Sequence, residues 1–176
     1  MAKDGEAIIA LGGNIGNVVE NFASALCSLR ASGLKITATS SLYRTAPWGK
    51  TDQPDFLNMC ASVQTSLSAH DLLHLCLAVE QAHGRKRQEQ WGPRTLDLDL
   101  IDYDGQEISD KELNLPHPRA HERAFVLFPL ADIRPHLIVA GKSVAWHVSH
   151  CDQSGVMRDD EACARFAALF MRSSTS

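Results

Sequence analysis

Hydrophobic residues recur at strand spacing in some segments and at helical spacing in others. The sequence therefore predicts strands and helices that follow one another along the chain. The apolar run 6–11 ends at a pair of glycines, which predicts a buried strand that leads into a turn. From Asn17 onwards, apolar residues recur at helical spacing as far as Leu29, and Gly33 stands just beyond them. This pattern predicts a helix that ends before Gly33, where a glycine favours termination.

The same reading predicts three further strands and two further helices. The predicted strands cover residues 35–43, 55–67 and 95–103, where β-formers or alternating apolar positions dominate. One predicted helix begins at Ser68 as its cap and ends at Gly84, and the other covers residues 120–131. The order is therefore β-α-β-β-α-β, followed by an additional helix and a tail.

This order favours an α+β fold, in which a mostly antiparallel four-stranded sheet carries helices on one face. The 176 residues suit one domain at roughly 150 residues per domain. We expect residues 1–158 to form that domain. Residues 159–176 have apolar positions at helical spacing and then Ser and Thr, so we expect a helical extension that docks and frays at its end.

Composition narrows the class of protein. The chain is 44% hydrophobic and 22% charged, with 17 basic and 21 acidic residues, and this acidic balance disfavours nucleic acid as a partner. No stretch approaches the roughly 18 apolar residues of a membrane span, and the first residues lack the apolar core of a signal peptide. Five cysteines without a C-x-x-C pair indicate reduced thiols. We therefore expect a cytoplasmic protein without a membrane partner.

Known phosphate-binding motifs are incomplete in this chain. Residues 49–51 and 141–143 resemble the end of a P-loop, but Arg44 and His136 stand where its first glycine is required, so we reject both. The segment 12–16 (GGNIG) follows a strand and precedes a helix without matching the dinucleotide fingerprint. It is interpreted either as a tight turn or as backbone that approaches a ligand.

The most informative segment is the strand predicted at 95–103. Alternation places Asp97 and Asp99 on one face, about 7 Å apart and both ionised at neutral pH. One interpretation is the solvated face of an amphipathic strand. However, Asp is a poor strand former, and two like charges on one face repel each other. A hard cation between them would remove this conflict, and Mg²⁺ is held by carboxylate and phosphate oxygens.

A basic loop precedes this strand. Residues 84–94 include Arg85 and Arg94, and guanidinium groups beside carboxylates suit a complex of metal and polyphosphate. The loop alone fits a solvated hinge equally well, but the two features together favour nucleotide chemistry. His117 and Arg123 are further candidate donors, although each alone is more often structural. A zinc site at His117 and His121 is rejected because Pro118 intervenes and no third ligand is evident.

Taken together, these segments resemble the 6-hydroxymethyl-7,8-dihydropterin pyrophosphokinase family. The match covers residues from about 7 to 139, and its most specific stretch is WGPRTLDLDL at 91–100. Further matching blocks are ALGGN at 10–14, YRT at 43–45, DQPDFLN at 52–58, Glu80 with Gly84-Arg85, and Pro116-His117 followed by Arg123 and Phe125. The resemblance implies a ferredoxin-like α/β sandwich. It also implies a transferase that moves pyrophosphate from ATP to the hydroxymethyl group of the pterin, releasing AMP, in folate biosynthesis.

The resemblance also assigns residues to the reaction. It implies two Mg²⁺ ions held by Asp97 and Asp99, with ATP and a reduced hydroxymethylpterin as substrates of a monomer. The implied catalytic residues are Arg85, Arg94, Asp97 and Asp99. The implied ATP-binding residues are Glu80, Arg85, Arg94, Leu98, His117 and Arg123. The implied pterin-binding residues are Thr45, Ala46, Trp48, Phe56, Asn58 and Phe125, of which Phe56 and Phe125 would enclose the ring. Ala46, Trp48 and Pro118 depart from the residues usual in the family.

Two other functions remain open on the residues alone. A Mg²⁺-dependent nucleotide hydrolase would use the same acidic pair, with water in place of the pterin. An RNA-recognition module shares a four-stranded sheet with two helices. That module requires aromatic stacking residues on its central strands and a basic face, whereas this strand presents Asp97 and Asp99. The acidic pair therefore disfavours the RNA-binding alternative.

Overall fold

An antiparallel sheet lies between two layers of helices in the computed structural model, which describes residues 3–47, 49, 51–84 and 92–175. The strands are β1 (Gly5–Gly13), β2 (Lys35–Thr39), β3 (Tyr43–Thr45), β4 (Phe56–Thr65), β5 (Asp97–Tyr103), β6 (Ile108–Ser109), β7 (Asn114–Leu115), β8 (Ile138–Val139), β9 (Lys142–Ser143) and β10 (Val156–Arg158). The helices are α1 (Val18–Ala31), α2 (Ala69–Ala82), α3 (Ala124–Ile133), α4 (Val144–His150) and α5 (Asp160–Arg172), with a 3-10 turn at Ala120–Glu122.

The main sheet has the order β10-β3-β4-β1-β5, and β2 pairs with β4 beyond β3 on the same edge. Every pairing in this sheet is antiparallel. Two small hairpins, β6–β7 and β8–β9, lie outside it. The antiparallel α+β fold predicted from the sequence is confirmed, with the strand predicted at 35–43 divided into β2 and β3.

The prediction of one continuous strand over residues 35–43 is wrong. The strand ends at Thr39, because side-chain hydrogen bonds replace bonds of the backbone ladder at the next two residues. Ser40 accepts a hydrogen bond from the Cys60 backbone N–H through its hydroxyl oxygen, at 2.8 Å. The Ser41 backbone N–H donates to an Asp132 carboxylate oxygen of α3, at 3.0 Å. These contacts turn the chain, so that β2 and β3 pair with different parts of β4.

The helix predicted at 120–131 also differs from the structure. A 3-10 turn covers Ala120–Glu122, and α3 starts only at Ala124. Arg123 separates the two because its backbone is extended, with φ −115° and ψ 100°, and it serves as the N-cap of α3. Helical periodicity continues through both segments, which is why the sequence pattern did not reveal the break. The break matters because it faces the candidate site.

The larger core lies between the sheet and the layer formed by α1, α2 and α5. Alternate residues of β1 and β4, such as Ile9 and Met59, are fully buried against Phe22, Leu26 and Leu72 of the helices. Fully burying one such side chain contributes roughly 1.5–3 kcal/mol, so this layer carries most of the apolar stabilisation.

The opposite face of the sheet has its own, smaller core. Ile8 of β1 and Ile101 of β5 pack there with Leu127 and Leu130 of α3 and with Val144 of α4. The expectation of helices on one face only is therefore wrong, since α3 and α4 form a second layer. This layer covers only part of the face. The remaining part stays accessible and forms the floor of a cavity.

The C-terminal region contributes to both the sheet and the larger core. Strand β10 adds to the free edge of β3, and α5 packs on α1 with Ala162 and Phe166 buried. The Arg30 guanidinium lies 4.5 Å from the centre of the Phe170 ring. Across the described part of the chain, the helices are too short or too polar to cross a membrane.

Candidate active site

A cavity of about 840 Å³ lies at the end of the sheet face that α3 and α4 leave uncovered. Its floor comes from alternate residues of three neighbouring strands, namely Ala10, Gly12, Phe56, Asn58, Asp97 and Asp99. The wall residues belong to the end of β3, the start of α3 and the segment before β10. This volume falls within the roughly 300–1,000 Å³ range of small-molecule sites.

The acidic pair lies on the cavity side of β5. Asp97 and Asp99 share a face, as the alternation predicted, while Leu98 between them points into the larger core. Their partners across the β1 ladder are Gly12 and Ala10. Because these partners have little or no side chain, space remains beside both carboxylates.

Arg94 lies against the acidic pair. Its Nη1 donates to Asp97 Oδ2 at 2.7 Å, and its side chain is about one-third exposed, at 35%. A guanidinium held beside a carboxylate at the edge of a cavity can also donate to a phosphate oxygen. The predicted partnership of Arg94 with the acidic strand is therefore present in the structure.

The backbone of Arg94 is held by Asn14, which belongs to the ALGGN block but was given no role in the sequence analysis. The Arg94 backbone N–H donates to Asn14 Oδ1, and the Arg94 carbonyl accepts from the Asn14 backbone N–H, both at 2.8 Å. The buried Asn14 amide also donates to Gln53 Oε1 and the Pro54 carbonyl, at 3.0 and 2.9 Å. Asn14 therefore links the end of β1, the segment before β4 and the segment before β5.

The glycine pair before Asn14 permits two close approaches. A Cβ atom on Gly12 would lie 2.8 Å from Asn58 Oδ1, and one on Gly13 would lie 2.7 Å from the Thr95 carbonyl oxygen. Neither contact is tolerable, so only glycine allows Asn58 and the Thr95 backbone to sit so near β1. The segment forms a tight turn, and Gly12 also lines the cavity.

Glu80 lies behind the acidic strand. It is only 2% exposed, and its Oε1 accepts a hydrogen bond from the Leu98 backbone N–H at 2.7 Å. Neither Glu80 nor Leu98 is among the cavity-lining residues. Glu80 thus fixes the strand at the residue between Asp97 and Asp99, and a direct contact of either residue with ATP stays a prediction.

His117 lies near Asp99, Arg119 and Arg123 but is not among the cavity-lining residues, so its contact with ATP stays a prediction. Its backbone N–H donates to the Ile101 carbonyl at 2.8 Å, and its Nδ1 accepts from the Arg119 backbone N–H at 3.2 Å. Burial lowers the pKa of His117, nearby Asp99 raises it in part, and Arg123 and Arg119 lower it further. Neutral His117 would therefore carry its proton on Nε2, with Nδ1 acting as the acceptor.

Arg123 lines the cavity as predicted, with its guanidinium 5.8 Å from the centre of the Phe125 ring. Arg119 and Glu122 line it as well, with Arg119 Nε 3.5 Å from a Glu122 carboxylate oxygen. Sequence reasoning missed both because charged residues of a turn usually face solvent.

The residues predicted to bind the pterin come together. Thr45, Ala46, Phe56, Asn58 and Phe125 all line the cavity that contains the acidic pair. They come from β3, β4 and the start of α3, so the sheet brings distant parts of the chain to one place. Trp48 and Arg85, also predicted for the site, lie outside the described residues.

One wall of the cavity was not predicted. Cys151, Asp152, Ser154, Gly155 and Val156 all line it, although this segment lay outside the recognised blocks. The sequence offered no signal because the segment reaches the site only through the pairing of β10 with β3.

The donor set suits a hard cation that arrives with a substrate. Among the residues that the structure describes, no group of three or more His, Cys, Asp or Glu side chains is arranged to hold a metal ion. A zinc site of protein ligands is thus not found in this part of the chain. Two carboxylates beside open space fit Mg²⁺, which keeps several ligand positions for water and substrate phosphates.

An antiparallel α+β sheet with paired carboxylates, arginines and an aromatic-lined cavity defines an enzyme of the phosphoryl-transfer class. The family model described as 7,8-dihydro-6-hydroxymethylpterin-pyrophosphokinase (HPPK) matches residues 8–135. The chain belongs to this family. It is a pyrophosphokinase that acts on ATP and hydroxymethyldihydropterin in folate biosynthesis.

Individual proteins similar to this chain carry the name of the same enzyme or of a folate synthesis protein. A 2-amino-4-hydroxy-6-hydroxymethyldihydropteridine pyrophosphokinase of Methylorubrum extorquens is 45% identical over 86% of this chain and 97% of its own length. One from Synechocystis is 42% identical over 85% of this chain and 78% of its own. A mitochondrial folate synthesis bifunctional protein of Arabidopsis thaliana is 40% identical over 87% of this chain and 28% of its own.

Solved structures agree on the fold. The crystal structure of Plasmodium falciparum HPPK-DHPS wild type with pteroate superposes with a TM-score of 0.68 over 84% of this chain and 42% of that chain. Its sequence is only 16% identical, so this similarity concerns the fold alone.

Proposed function

We propose that the cavity holds the reduced pterin and the ATP phosphates side by side, with two Mg²⁺ ions at Asp97 and Asp99. One observation carries this proposal: the acidic pair and Arg94 share a single cavity with Phe56, Asn58 and Phe125. An acidic pair alone would suit many enzymes. The aromatic and amide groups beside it are suited to a flat heterocycle with a polar edge.

In the proposed complex, Phe56 and Phe125 pack against the two faces of the pterin ring. The Asn58 amide offers one donor group and one acceptor, which suits the alternating donors and acceptors of a pterin edge. The backbone of residues 45–47 supplies further partners along the same wall. Trp48, which lies outside the described residues, remains a predicted part of this pocket.

The arginines are proposed to bind the triphosphate. Arg94 offers a planar fork of N–H donors, and Asp97 restrains it beside the acidic pair. Arg123 lines the cavity at the start of α3, and the proposal adds His117, which lies near Arg123 and Asp99 in the segment before it. Arg85, Glu80 and Leu98 complete the predicted nucleotide contacts, with Arg85 from the loop outside the described residues.

The reaction then requires little covalent chemistry from the protein. The pterin hydroxyl oxygen attacks the β-phosphorus of ATP in line, and AMP leaves. When bound, divalent ions neutralise charge on the phosphates and lower the cost of the attacking alkoxide. The residues of this chain position the two substrates, since holding the reactants in line supplies much of the acceleration.

We also propose a monomeric cytoplasmic enzyme. The cysteines Cys27, Cys60, Cys76, Cys151 and Cys163 are free, which supports a reducing compartment.

Product analysis tests the proposed reaction. With Mg²⁺, ATP and 6-hydroxymethyl-7,8-dihydropterin, the protein should form AMP and pterin diphosphate in equal amounts, and a chelator should abolish both. Release of ADP would show attack at the γ-phosphorus. ATP consumption without the pterin would show a hydrolase. Either result, or full turnover in the presence of the chelator, would contradict the proposal.

A further inference from the structure

The segment between α4 and α5 takes part in both the sheet and the cavity. Strand β10 pairs with β3, and Val156 lies directly opposite Thr45, the last residue of β3. Thr45 in turn lies opposite Phe56 of β4. Val156, Thr45 and Phe56 therefore form one row across three strands, and all three line the cavity.

Without β10, β3 would be unpaired on one side, and this row would end at a short edge strand. Strand β3 has only three residues, and the chain leaves regular structure on both sides of it. Its neighbour β4 holds one edge, while β10 holds the other. A three-residue strand paired on both edges keeps its backbone far better fixed than one at the edge of a sheet. The position of the β3 backbone therefore determines where the residues after Thr45 lie.

An ion pair holds β10 in place. The Arg44 guanidinium donates to Asp159 Oδ2 through Nε at 2.9 Å and through Nη2 at 2.5 Å. The Asp159 backbone N–H also donates to the Leu42 carbonyl at 2.9 Å. Meanwhile Asp159 Oδ1 accepts from the Ala162 N–H and caps α5. Asp159 thus joins β3, the end of β10 and the start of α5.

The segment before β10 is also held at its other end. The Cys151 backbone N–H donates to the His147 carbonyl of α4 at 2.9 Å, and the Gln153 amide donates to the Val148 carbonyl at 3.0 Å. The Ser154 N–H donates to Asp152 Oδ1 at 2.9 Å. Gly155 has φ +78°, a conformation that suits glycine and turns the chain into β10. The wall is therefore a restrained turn.

The geometry points to a role for this segment in selecting the pterin. Val156 is a specificity-determining contact at the pterin end of the cavity, and the Arg44–Asp159 pair is a positioning pair that holds the Thr45 backbone. This inference rests on the proposed pterin site, and it extends that site to residues 151–159.

The direct contact is tested by a pair of substitutions on β10. Val156 faces the cavity, whereas Met157 points to the other side and is 71% exposed. Val156→Phe should raise the KM for the pterin about tenfold, because the larger ring intrudes on the site. Met157→Phe is the matched control and should leave this KM unchanged. Val156→Ala, which cannot clash, should also raise it, since it removes packing.

The positioning pair is tested by Arg44→Gln. This change removes the ion pair but keeps Asp159 as the cap of α5. The KM for the pterin should rise several-fold, while the KM for ATP stays within about twofold. Arg44→Lys should restore part of the loss. Arg30→Gln is the matched control because Arg30 contacts the far end of α5, at Phe170 and Ser174.

Asn58→Ala is measured in parallel, so that failure of this inference can be distinguished from failure of the proposed pterin site. A raised pterin KM in Asn58→Ala together with unchanged values in Val156→Phe and Arg44→Gln would overturn the inference alone. Unchanged values in all three would refute the pterin site itself. The inference is also wrong if either control raises the pterin KM as much as its partner variant. Melting temperatures close to that of the parent protein confirm that each variant is folded.

Discussion

Asp97 and Asp99 place two negative charges on one face of a strand, where they repel each other. Alternation along residues 95–103 was sufficient to predict that both side chains share a face, because the period of a strand is local. The partners of these residues were not predictable in the same way. Asn14 and Arg94 are separated by 80 positions in the sequence, and only the pairing of β1 with β5 brings them together.

Replacing either carboxylate should lower turnover but leave the stability of the fold almost unchanged. We expect Asp97→Asn and Asp99→Asn each to lower kcat by at least about a hundredfold, because the proposed cation site loses a ligand. The free energy of unfolding should change by no more than about 1 kcal/mol, since the repulsion lost offsets the partly buried ion pair that Asp97 forms with Arg94. Steady-state kinetics and urea titration measure the two quantities.

Glu107→Gln is the control for this pair, because Glu107 is exposed and lies away from the cavity. It should retain full activity. If either Asp variant keeps near-normal turnover with Mg²⁺, the metal assignment is wrong.

Asn14 should matter for both stability and turnover. Asn14→Ala removes three side-chain hydrogen bonds at a buried position and should lower the free energy of unfolding by about 1–3 kcal/mol. Turnover should fall as well, because the Arg94 backbone loses its anchor. Asn14→Asp keeps the acceptor for the Arg94 N–H and should place Arg94 better than Ala does. Equal kcat values in Asn14→Ala and the parent protein would show that Arg94 does not need this anchor.

The helices and strands were predictable wherever their hydrophobic pattern was local and uninterrupted. Helices α1 and α2 and strands β1, β4 and β5 lie within a few residues of their predicted ranges. The two errors, at 35–43 and 120–131, occur where the backbone leaves regular structure. It does so to hydrogen-bond a distant partner in the first case, and because Arg123 is extended in the second. In the first case that partner is Asp132 of α3. Periodicity cannot reveal such breaks, because the residues on both sides keep the same pattern.

Helix α2 and the β6–β7 hairpin are joined by two exposed histidine–carboxylate contacts. His70 Nε2 lies 2.8 Å from Asp110 Oδ2, and His74 Nε2 contacts Glu112. The hydrogen bond and charge of Glu112 raise the pKa of His74 above its usual value. Backbone hydrogen bonds from Leu113 and Glu112, together with His70, lower the pKa of Asp110.

The docking of the hairpin should therefore depend on pH. A raised folded-state pKa means that the His74 contribution is fully present below the unfolded value of 6.5 and is lost as pH rises through the folded value. The Asp110 contribution is present above 3.8 and is lost as pH falls. Protection factors of the backbone amides of residues 108–115, which correct for the intrinsic rise of exchange with pH, should be highest between these limits. Glu112→Gln should remove the loss at higher pH, and an unchanged profile in this variant would contradict the assignment.

The whole molecule is a three-layer arrangement whose second helical layer is incomplete, and the cavity occupies the part left uncovered. The sequence predicted the sheet and one helical layer. It did not predict the position of α3 and α4, because their apolar residues are compatible with either face. Nor did it show that the C-terminal region enters the sheet, since β10 has three residues and no distinctive pattern.

Helix α5 should stabilise the fold without taking part in turnover. Phe166 is 4% exposed in the larger core, so Phe166→Ala should lower the free energy of unfolding by about 3–5 kcal/mol. Met171→Ala, at a residue 70% exposed, should have almost no effect. Chemical denaturation measures both. The kcat of Phe166→Ala, measured where the variant is fully folded, should match that of the parent protein, and a large loss would assign α5 a catalytic role.

The lining of the cavity joins distant parts of the chain, from Ala10 of β1 to Val156 of β10. During synthesis, therefore, the cavity cannot enclose a ligand until Val156 has emerged and β10 has docked on β3. For the same reason, a ligand that fills the cavity stabilises the entire fold by mass action, by about 2.7 kcal/mol at a hundred times its Kd. Saturating substrate should consequently protect β1 and β10 from proteolysis to the same degree.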